Sequence, residues 1–298
     1  MKGEDLSKII REKIEKREPL YELRIEIFKE TVKIVQKGGY SLNGKFIKID
    51  NTEVVEEAIL YDAPLKNTKK CTEKTKISVI EADCLEVAEL LIKARLNPAV
   101  LNMANRINPG GGVIKGAGAQ EENLFRRTNL FLSMYQFADY AEEYGIKKNE
   151  KQYPLNKESG GVYSPNITVF RSSEHNGYEL LSKPFKIAVI SVPAVRWPSQ
   201  VCKNGKCRIV GDNIKTTKNK IRTILRIGLE RGHNSLVLSA FGCGAFNNPP
   251  EHMAELFKEV FEEDEFKNCF KLITFAIINR SDGRAGKNVY PFFKVFNS

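Results

Sequence analysis

The chain has 298 residues, of which 42% are hydrophobic, and this is enough for one large domain or two small ones with a sizeable core. Lysine and arginine number 47 against 37 aspartates and glutamates, and the net charge of +10 fits a polyanionic partner or substrate and a plain lysine-rich surface about equally well. No stretch approaches the ~20 apolar residues of a membrane span, and the charged N-terminus has no apolar signal-peptide core, so a cytosolic or nuclear protein is expected.

The first 37 residues are predicted to form two helices. Apolar residues recur at helical spacing from Leu6 to Ile14, and again from Leu23 to Val35 after Pro19 has interrupted the run. The glycine pair Gly38-Gly39 then ends the second helix.

A short strand and a polar connection follow these helices. Asn43-Gly44 predicts a turn that leads into a strand over residues 45–50. The segment 68–76 is polar and rich in lysine, which is typical of a surface connection. We therefore expect residues 1–76 to form an accessory region packed on a core of residues 77–298.

Strands and helices alternate in the predicted core. Asp83 is expected to cap a helix, with Glu86 three residues later at the spacing of a capping box. A second helix is predicted over residues 119–136. Several of the strands are continuously apolar, which indicates a sheet covered on both faces and an α/β fold. The predicted core strands are 77–82, 99–104, 167–170, 186–192, 235–241 and 272–278.

The cysteines and histidines predict no metal site. Cys202 and Cys207 are close in sequence, but no second pair and no nearby histidine completes a zinc site. Free thiols in a reducing compartment are therefore expected. The six cysteines are Cys71, Cys84, Cys202, Cys207, Cys243 and Cys269.

A glycine-rich loop is the most informative stretch of the sequence. A predicted strand ends near Asn105, three glycines follow at 110–112, and Gln120-Glu121-Glu122 opens a helix. Glycines allow close backbone approach and positive φ, and their N–H groups beside a helix N-terminus suit a phosphate. The spacing matches neither a Walker loop nor a dinucleotide-binding fingerprint. A structural turn would explain the glycines alone equally well.

The adjacent acids Glu121 and Glu122 suggest cleavage of a sugar bond. Neighbouring residues on a helix point about 100° apart, so one carboxylate can bind a sugar hydroxyl while the other faces the scissile bond. Ribosyl transfer passes through an oxocarbenium-like state that needs an acid for the leaving oxygen and a nearby carboxylate. The alternative is that the two acids only complement the helix dipole.

A second glycine loop follows the strand predicted at 235–241. Its sequence is Gly242-Cys243-Gly244-Ala245-Phe246, and Pro249-Pro250 then leads into a helix. This arrangement is typical of an anion site, and Phe246 could pack on a ribose or a base. Cys243 has no histidine near it in sequence, so a small residue in a tight loop is favoured over a nucleophile.

The stretch from Gly110 to Glu122, with three glycines, seven residues and then Gln-Glu-Glu, resembles the signature of microbial (bacterial-type) poly(ADP-ribose) glycohydrolases. The resemblance runs from about residue 24 to residue 278, with weaker matches in the expected order at 31–40, 163–171 and 242–246. It implies an α/β, macrodomain-like fold with a mixed central sheet flanked by helices and an N-terminal helical accessory region. ADP-ribose would lie in a cleft at the strand ends.

The resemblance also implies roles for individual residues. Glu122 matches the catalytic acid, and Glu121 matches the glutamate that binds ribose hydroxyls. Asp83 matches an aspartate near the adenine, although its capping role explains it equally well. The substrate-binding residues implied are Asn105, Gly110, Gly111, Gly112, Val113, Gln120, Gly242, Cys243, Gly244, Ala245, Phe246 and Asp83.

The function implied is hydrolysis of ribose–ribose bonds in poly(ADP-ribose) or on ADP-ribosylated protein, mainly from chain ends, with release of ADP-ribose. No metal, cofactor, membrane or obligate protein partner is implied. One alternative is a macrodomain that only binds ADP-ribose, and the glutamate pair argues against it because a reader needs no general acid. Another alternative is a hydrolase of single ADP-ribose units on protein or nucleic acid, which the sequence does not separate from the first function.

Overall fold

A computed structural model describes residues 3–66, 71–278 and 288–297. Its helices are α1 (Gly3–Glu15), α2 (Tyr21–Gln36), α3 (Cys84–Lys93), α4 (Gln120–Arg127), α5 (Leu130–Tyr135), α6 (Asp212–Glu230), α7 (Pro250–Phe261) and α8 (Val289–Phe296). Its strands are β1 (Gly39–Leu42), β2 (Lys45–Lys48), β3 (Ile59–Tyr61), β4 (Lys76–Ile80), β5 (Pro98–Met103), β6 (Gly161–Arg171), β7 (Leu180–Val192), β8 (Gln200–Lys203), β9 (Lys206–Ile209), β10 (Ser235–Leu238) and β11 (Leu272–Ala276).

A seven-stranded sheet forms the centre of the fold. Its strand order is β3-β6-β7-β5-β10-β11-β4, and the four strands from β5 to β4 are parallel to one another. Two antiparallel hairpins, β1–β2 and β8–β9, stand apart from this sheet. The α/β class with a central sheet and flanking helices, predicted from the sequence, is confirmed.

The chain divides into two compact units. The first, unit 1, comprises Met1–Ile59, Ile107–Pro154 and Ser164–Ala188, and it contains α1, α2, α4 and α5. The second, unit 2, comprises Leu60–Arg106, Leu155–Tyr163 and Val189–Ser298, and it contains the four parallel strands. The predicted boundary between residues 76 and 77 stays a prediction, and part of the connection predicted over 68–76 lies outside the described residues.

The two N-terminal helices and the Asn43-Gly44 turn form as the sequence predicts, and β1 is an additional strand. Helices α1 and α2 flank Pro19, and the β1–β2 hairpin turns at Asn43-Gly44, where both residues have positive φ (51° and 75°). Two positive φ values are the mark of a tight hairpin turn that favours Asn-Gly. No helix in the described ranges is long and apolar enough to cross a membrane.

The parallel strands of unit 2 bring several loops to one edge of the sheet. Asp83 follows β4, Asn105 follows β5, and the loop 242–246 follows β10. The end of β7 lies beside the end of β5, because the N–H of Ala104 donates to the carbonyl of Val192 at 3.2 Å. The carboxyl edge of parallel strands is where open α/β sheets bind their ligands.

Helix α3 shows how local sequence fixes one of these loops. Asp83 has the extended backbone of an N-cap residue (φ −72°, ψ 135°), and its carboxylate accepts the N–H groups of Leu85 (3.0 Å) and Glu86 (3.2 Å). A cap of this kind is worth about 1 kcal/mol. The predicted capping role of Asp83 is confirmed, and α3 packs against β5 and β10.

The single helix predicted over residues 119–136 is wrong, because α4 and α5 are separated at Thr128. Thr128 is extended (φ −141°, ψ 171°) and forms an isolated β-bridge with Val169. Its hydroxyl accepts the N–H of Leu130 at 3.1 Å, and the amide oxygen of Asn129 accepts the N–H of Thr168 at 2.8 Å. The Thr128 hydroxyl therefore takes an N–H that a continuous helix would bond to its own backbone, and Asn129 ties the break to β6.

The expectation of free thiols is wrong for four of the six cysteines. Cys71 and Cys269, which are 198 positions apart in sequence, form a disulfide with Cα atoms 4.7 Å apart. Cys202 and Cys207 form a second disulfide, because they lie directly opposite each other on β8 and β9. Cys84 and Cys243 take part in neither disulfide. The first pairing depends on the fold, and the second depends on a hairpin that the sequence reading missed.

Candidate active site

The triple-glycine loop and the paired glutamates come together in unit 1. Glu121 and Glu122 lie in the first turn of α4 and are only 4% and 7% exposed. Glu121 Oε1 accepts the N–H of Gly110 at 3.0 Å, and Glu122 Oε1 accepts the N–H of Gly112 at 2.8 Å. Both carboxylates are thus turned back onto the loop and are held there.

Glycine is required at the centre of this loop. Gly111 has φ +56°, and a Cβ atom there would lie 2.5 Å from Glu122 Oε1 and 3.0 Å from Glu121 Oε2. Gly110 has φ +79°, and a Cβ atom there would lie 2.7 Å from the ring of Phe125. The glycines therefore let the backbone approach both acids closely, in a conformation that other residues rarely adopt.

The N–H groups of the three glycines are all engaged within the protein. Gly110 and Gly112 donate to the two glutamates, and Gly111 donates to the carbonyl of Asn108 at 3.0 Å. The sequence suggested that these groups would suit a phosphate. In the structure two of them hold the acids and the third closes a turn, so a phosphate near this loop would need other donors.

The two oxygens of Glu122 differ in their surroundings. Oε1 accepts the hydrogen bond from Gly112, whereas Oε2 is buried and has no hydrogen-bond partner among the described residues. A buried carboxyl oxygen without a partner is costly unless a ligand or a proton satisfies it. The geometry therefore leaves Oε2 as the atom that can exchange a proton with a ligand.

Tyrosine side chains that the sequence reading did not single out enclose Glu121. The hydroxyl of Tyr140 donates to the carbonyl of Pro109 at 3.2 Å, next to the glycine loop. Burial, and after it the negative charge of Glu121, raises the pKa of Tyr153 well above its ordinary value. The Tyr153 hydroxyl has no hydrogen-bond partner among the described residues, and its raised pKa keeps it a neutral donor. The signal in the sequence is a run of tyrosines over residues 135–163.

Helix α2 packs directly on the segment that leads from the glycine loop into α4. Arg24 forms a two-pronged ion pair with Glu174 (2.7 and 2.8 Å), and its guanidinium also reaches the carbonyl of Gly116 at 3.5 Å. A Cβ atom at Gly118 would lie 2.5 Å from that guanidinium, and one at Gly116 would lie 2.2 Å from the carbonyl of Tyr21. Helix α2 thus fixes the course of the segment between the triple-glycine loop and α4.

A buried hydrogen-bond network continues from this ion pair to α4. Arg126 is completely buried, and it donates to the carbonyl of Ala117 (2.8 Å) and to the hydroxyl of Tyr178 (2.9 Å). Tyr178 in turn donates to Glu174 at 2.8 Å. Burial opposes the charged form of Glu174, but the hydrogen bonds and charge of Arg24 outweigh it and hold the pKa of Glu174 below its ordinary value.

Polar residues on the buried face of α2 are the sequence signal for this network. The buried face of α2 is formed by Arg24, Ile27, Phe28, Thr31, Ile34 and Val35. Arg24 and Thr31 therefore occupy positions of the helical repeat that apolar residues normally fill. A polar residue at such a position is expected to have a buried partner.

In unit 2, the second glycine loop is held by hydrogen bonds where it begins and is exposed to solvent at its middle. Gly242 has φ +73°, and a Cβ atom there would lie 2.5 Å from Asn248 Nδ2. Asn248 Nδ2 donates to the carbonyls of Val195 (2.8 Å) and Gly242 (3.1 Å). Gly244 and Ala245 are exposed, and a Cβ atom at Gly244 would meet nothing within 4 Å.

Three consecutive N–H groups of this loop are available to a ligand. The backbone N–H groups of Gly244, Ala245 and Phe246 donate to no atom of the described residues. Successive free N–H groups in a turn form an anion-binding concavity. Of the two glycine loops, the loop 242–246 is thus the one whose backbone can still bind a diphosphate.

The remaining predicted site residues take varied positions. Burial raises the pKa of the Cys243 thiol well above its ordinary value, which supports the interpretation that this cysteine is no nucleophile. Val113 is buried in a short 3₁₀ turn, while Gln120 at the start of α4 and Asn105 after β5 are half-buried. Their substrate contacts stay predictions. Within the described residues, no group of three or more His, Cys, Asp or Glu side chains could hold a metal ion.

Comparison with known proteins finds one family model that matches just under half of the chain. Residues 28–172 match the family model described as "Microbial-type PARG, catalytic domain", in which PARG denotes poly(ADP-ribose) glycohydrolase. No curated protein sequence matches significantly.

Solved structures of bacterial glycohydrolases are similar over most of the chain. Poly(ADP-ribose) glycohydrolase from Thermomonospora curvata has a TM-score of 0.70 and 27% identity, covering 92% of this chain and 99% of that one. The same enzyme bound to the inhibitor ADP-HPD gives 0.68 and 26%, covering 91% and 98%. The Deinococcus radiodurans enzyme in complex with ADP-ribose shares the fold, with a TM-score of 0.66 and 23% identity over 84% of this chain and 98% of that one. The chain therefore resembles microbial-type poly(ADP-ribose) glycohydrolases, in sequence over residues 28–172 and in fold over most of its length.

Proposed function

We propose that the protein hydrolyses the ribose–ribose O-glycosidic bond of poly(ADP-ribose) and releases ADP-ribose, with Glu122 as the general acid. The main observation behind this proposal is that the two carboxylate oxygens of Glu122 differ. Oε1 accepts a hydrogen bond from Gly112, whereas Oε2 is buried and has no partner among the described residues. A positioned carboxyl group with one free oxygen is what proton delivery to a leaving group requires. The match of residues 28–172 to the family model and the similar Thermomonospora curvata structures support the same activity.

The proposed reaction uses one carboxyl group twice. As the bond between the anomeric carbon and the bridging oxygen breaks, Glu122 Oε2 donates its proton to that oxygen, and positive charge develops on the ribose. Water then attacks the anomeric carbon and returns a proton to Glu122. Glu121, held by Gly110, is proposed to bind ribose hydroxyls. The neutral Tyr153 hydroxyl near Glu121 is a further donor for the same sugar.

Product analysis distinguishes this function from its alternatives. Incubation with automodified poly(ADP-ribosyl)ated protein is expected to release ADP-ribose monomer from the first time points and to leave one unit on the protein, because we propose cleavage from chain ends. The yield should be unchanged in EDTA, since the proposed acid is a carboxyl group. Early free oligomers would indicate internal cleavage. Complete removal would indicate a mono-ADP-ribosyl hydrolase, and no release would indicate a reader.

Replacing Gly111 with alanine is expected to reduce turnover at least about tenfold, because the new Cβ would displace both carboxylates and small misplacements of catalytic groups cost large factors. The matched control is Gly44→Ala, since Gly44 also has positive φ (75°) but has nothing within 4 Å of an added Cβ. Steady-state assays of both variants separate displacement of the acids from backbone strain. Equal losses in the two would contradict the proposed geometry.

Replacing Gly244 with valine tests the second glycine loop. The variant is expected to fold normally, because the added side chain enters open space, and to bind ADP-ribose at least about tenfold more weakly, because it blocks close approach to the free N–H groups. Isothermal titration calorimetry measures the dissociation constant, and Gly205→Ala, on the β8–β9 turn, is the control. Unchanged affinity in the folded valine variant would place the diphosphate elsewhere.

A further inference from the structure

Trp197 is displayed at the surface on a strained backbone. It is the only tryptophan of the chain, its side chain is 63% exposed, and its φ is +52°. Bulky residues rarely adopt positive φ, and such strain persists only where the surroundings enforce it. Here the surroundings are the second glycine loop, because the N–H of Trp197 donates to the carbonyl of Phe246 at 2.9 Å.

Arg196 directly precedes Trp197 in the sequence. It is exposed, and it makes no hydrogen bond or ion pair with any residue that the structure describes. A flat aromatic ring next to a free guanidinium is suited to a nucleotide, since the ring stacks on a base and the guanidinium pairs with phosphate. Single exposed aromatics are common on proteins. What distinguishes Trp197 is its attachment to a loop with three free N–H groups.

The strand order shows on which side of that loop the pair lies. In the order β7-β5-β10-β11-β4, the loop 242–246 follows β10 and Asp83 follows β4. Arg196 and Trp197 follow β7, on the opposite side of β10 from Asp83. The family resemblance implies that Asp83 lies near the adenine of the bound unit. The pair therefore lies on the side away from that adenine, where a second unit of a polymer would continue.

We propose that Arg196 and Trp197 bind the ADP-ribose unit that adjoins the one held by the loop 242–246. Trp197 stacks on the adenine of this second unit, and Arg196 pairs with its diphosphate. The proposal rests on the proposed function, because only a polymer carries a second unit. It gives the enzyme a means to favour poly(ADP-ribose) over single ADP-ribose groups.

The lone tryptophan allows a direct binding test. The Glu122→Gln variant, which should not consume the ligand, is titrated with monomeric ADP-ribose and with short poly(ADP-ribose) oligomers while indole fluorescence is recorded. Oligomers are expected to quench the emission by at least about half, as a stacked base would, and saturating monomer is expected to leave it nearly unchanged. Equal quenching by monomer would overturn the proposal. Oligomer binding seen by calorimetry without quenching would also overturn it.

Steady-state kinetics of variants provide a second test of the proposal. Trp197→Ala is expected to raise KM for poly(ADP-ribose) roughly tenfold, the size of one base stack, with kcat and the dissociation constant of monomeric ADP-ribose unchanged. Trp197→Phe should retain most of the affinity, and Arg196→Ala should reduce the salt dependence of KM. Tyr290→Ala, at a position 70% exposed in the same unit, is the control. An unchanged KM in Trp197→Ala would overturn the proposal.

The fluorescence titration and the activity assay together distinguish a failure of this proposal from a failure of the proposed function. If the wild-type protein released no ADP-ribose from polymer, the hydrolase assignment would fail, but oligomer-specific quenching would still support the subsite. If release were normal and quenching absent, the hydrolase assignment would stand and the subsite would be wrong.

Discussion

Glu122→Gln is expected to lower the turnover of poly(ADP-ribose) at least about 10²-fold, the low end of what general acid catalysis contributes. Glutamine has the same shape, and its amide oxygen can keep the hydrogen bond from Gly112 that Glu122 Oε1 accepts at 2.8 Å. The loop should therefore be undisturbed, and only the proton at the second oxygen is lost. Steady-state assays give kcat, and calorimetry should show an ADP-ribose affinity close to that of the wild type.

Two other glutamates provide the comparison. Glu86→Gln changes an exposed acid in the first turn of α3 and should leave turnover unchanged. Glu121→Gln should impair both binding and turnover, because the proposed role of Glu121 is to hold ribose hydroxyls. Near-normal turnover in Glu122→Gln would mean that Glu121 or a residue outside this loop supplies the proton.

Arg24→Ala is expected to lower the free energy of unfolding by about 3 kcal/mol, because it leaves Glu174 partly buried without its cation, and such losses run to ~3–5 kcal/mol. The side chains of Arg24 and Glu174 are 10% and 23% exposed. The variant also removes the guanidinium that contacts Gly116 and fills the space beside Gly118, so activity should fall with stability. Urea denaturation followed by circular dichroism measures the change.

An exposed ion pair on the same helix is the matched control. Lys29 and Glu26 also lie on α2 and are 60% and 53% exposed, so Lys29→Ala should cost less than about 1 kcal/mol. Similar losses in the two variants would contradict a special role for Arg24.

The effect of Arg24→Ala should also depend on pH. The pKa of Glu174 is lower in the folded protein than its ordinary value of 4.5, so its ion pair stabilises the fold above that pH. As the pH falls below 4.5 and through the folded pKa, this contribution is lost. The difference in unfolding free energy between the wild type and Arg24→Ala should therefore shrink below pH 4.5 and be constant between pH 6 and 8.

The sequence was informative wherever neighbours along the chain determine the structure. The capping of α3 by Asp83 and the turn at Asn43-Gly44 depend on a few adjacent residues, and both are confirmed. The glycine loop and Glu122 were found for the same reason, since they form one short signature. Even there, the hydrogen-bond acceptors of the glycine N–H groups could not be predicted from the sequence, because they depend on how α4 packs against the loop.

Features that join distant parts of the chain were missed. Arg24 and Glu174 are 150 residues apart, and the Cys71–Cys269 disulfide closes 198 residues, so no local pattern indicates either pair. The break at Thr128 was missed for a related reason, since it depends on a bridge to Val169 in β6. In each case the partner is defined by the fold and not by spacing.

The packing of Gly116 against Tyr21 has a consequence for biosynthesis. Gly116 follows Tyr21 by 95 residues, so at ribosomal rates of about 5–20 residues per second α2 is made roughly 5–20 s before the loop that it supports. During that interval the face of α2 that bears Ile27 and Phe28 has nothing from α4 to cover it, and the loop later folds against a helix that already exists. A circular permutant that makes α2 the last helix synthesised would reverse this order. The segment around Gly116 would then be synthesised before the helix against which it packs.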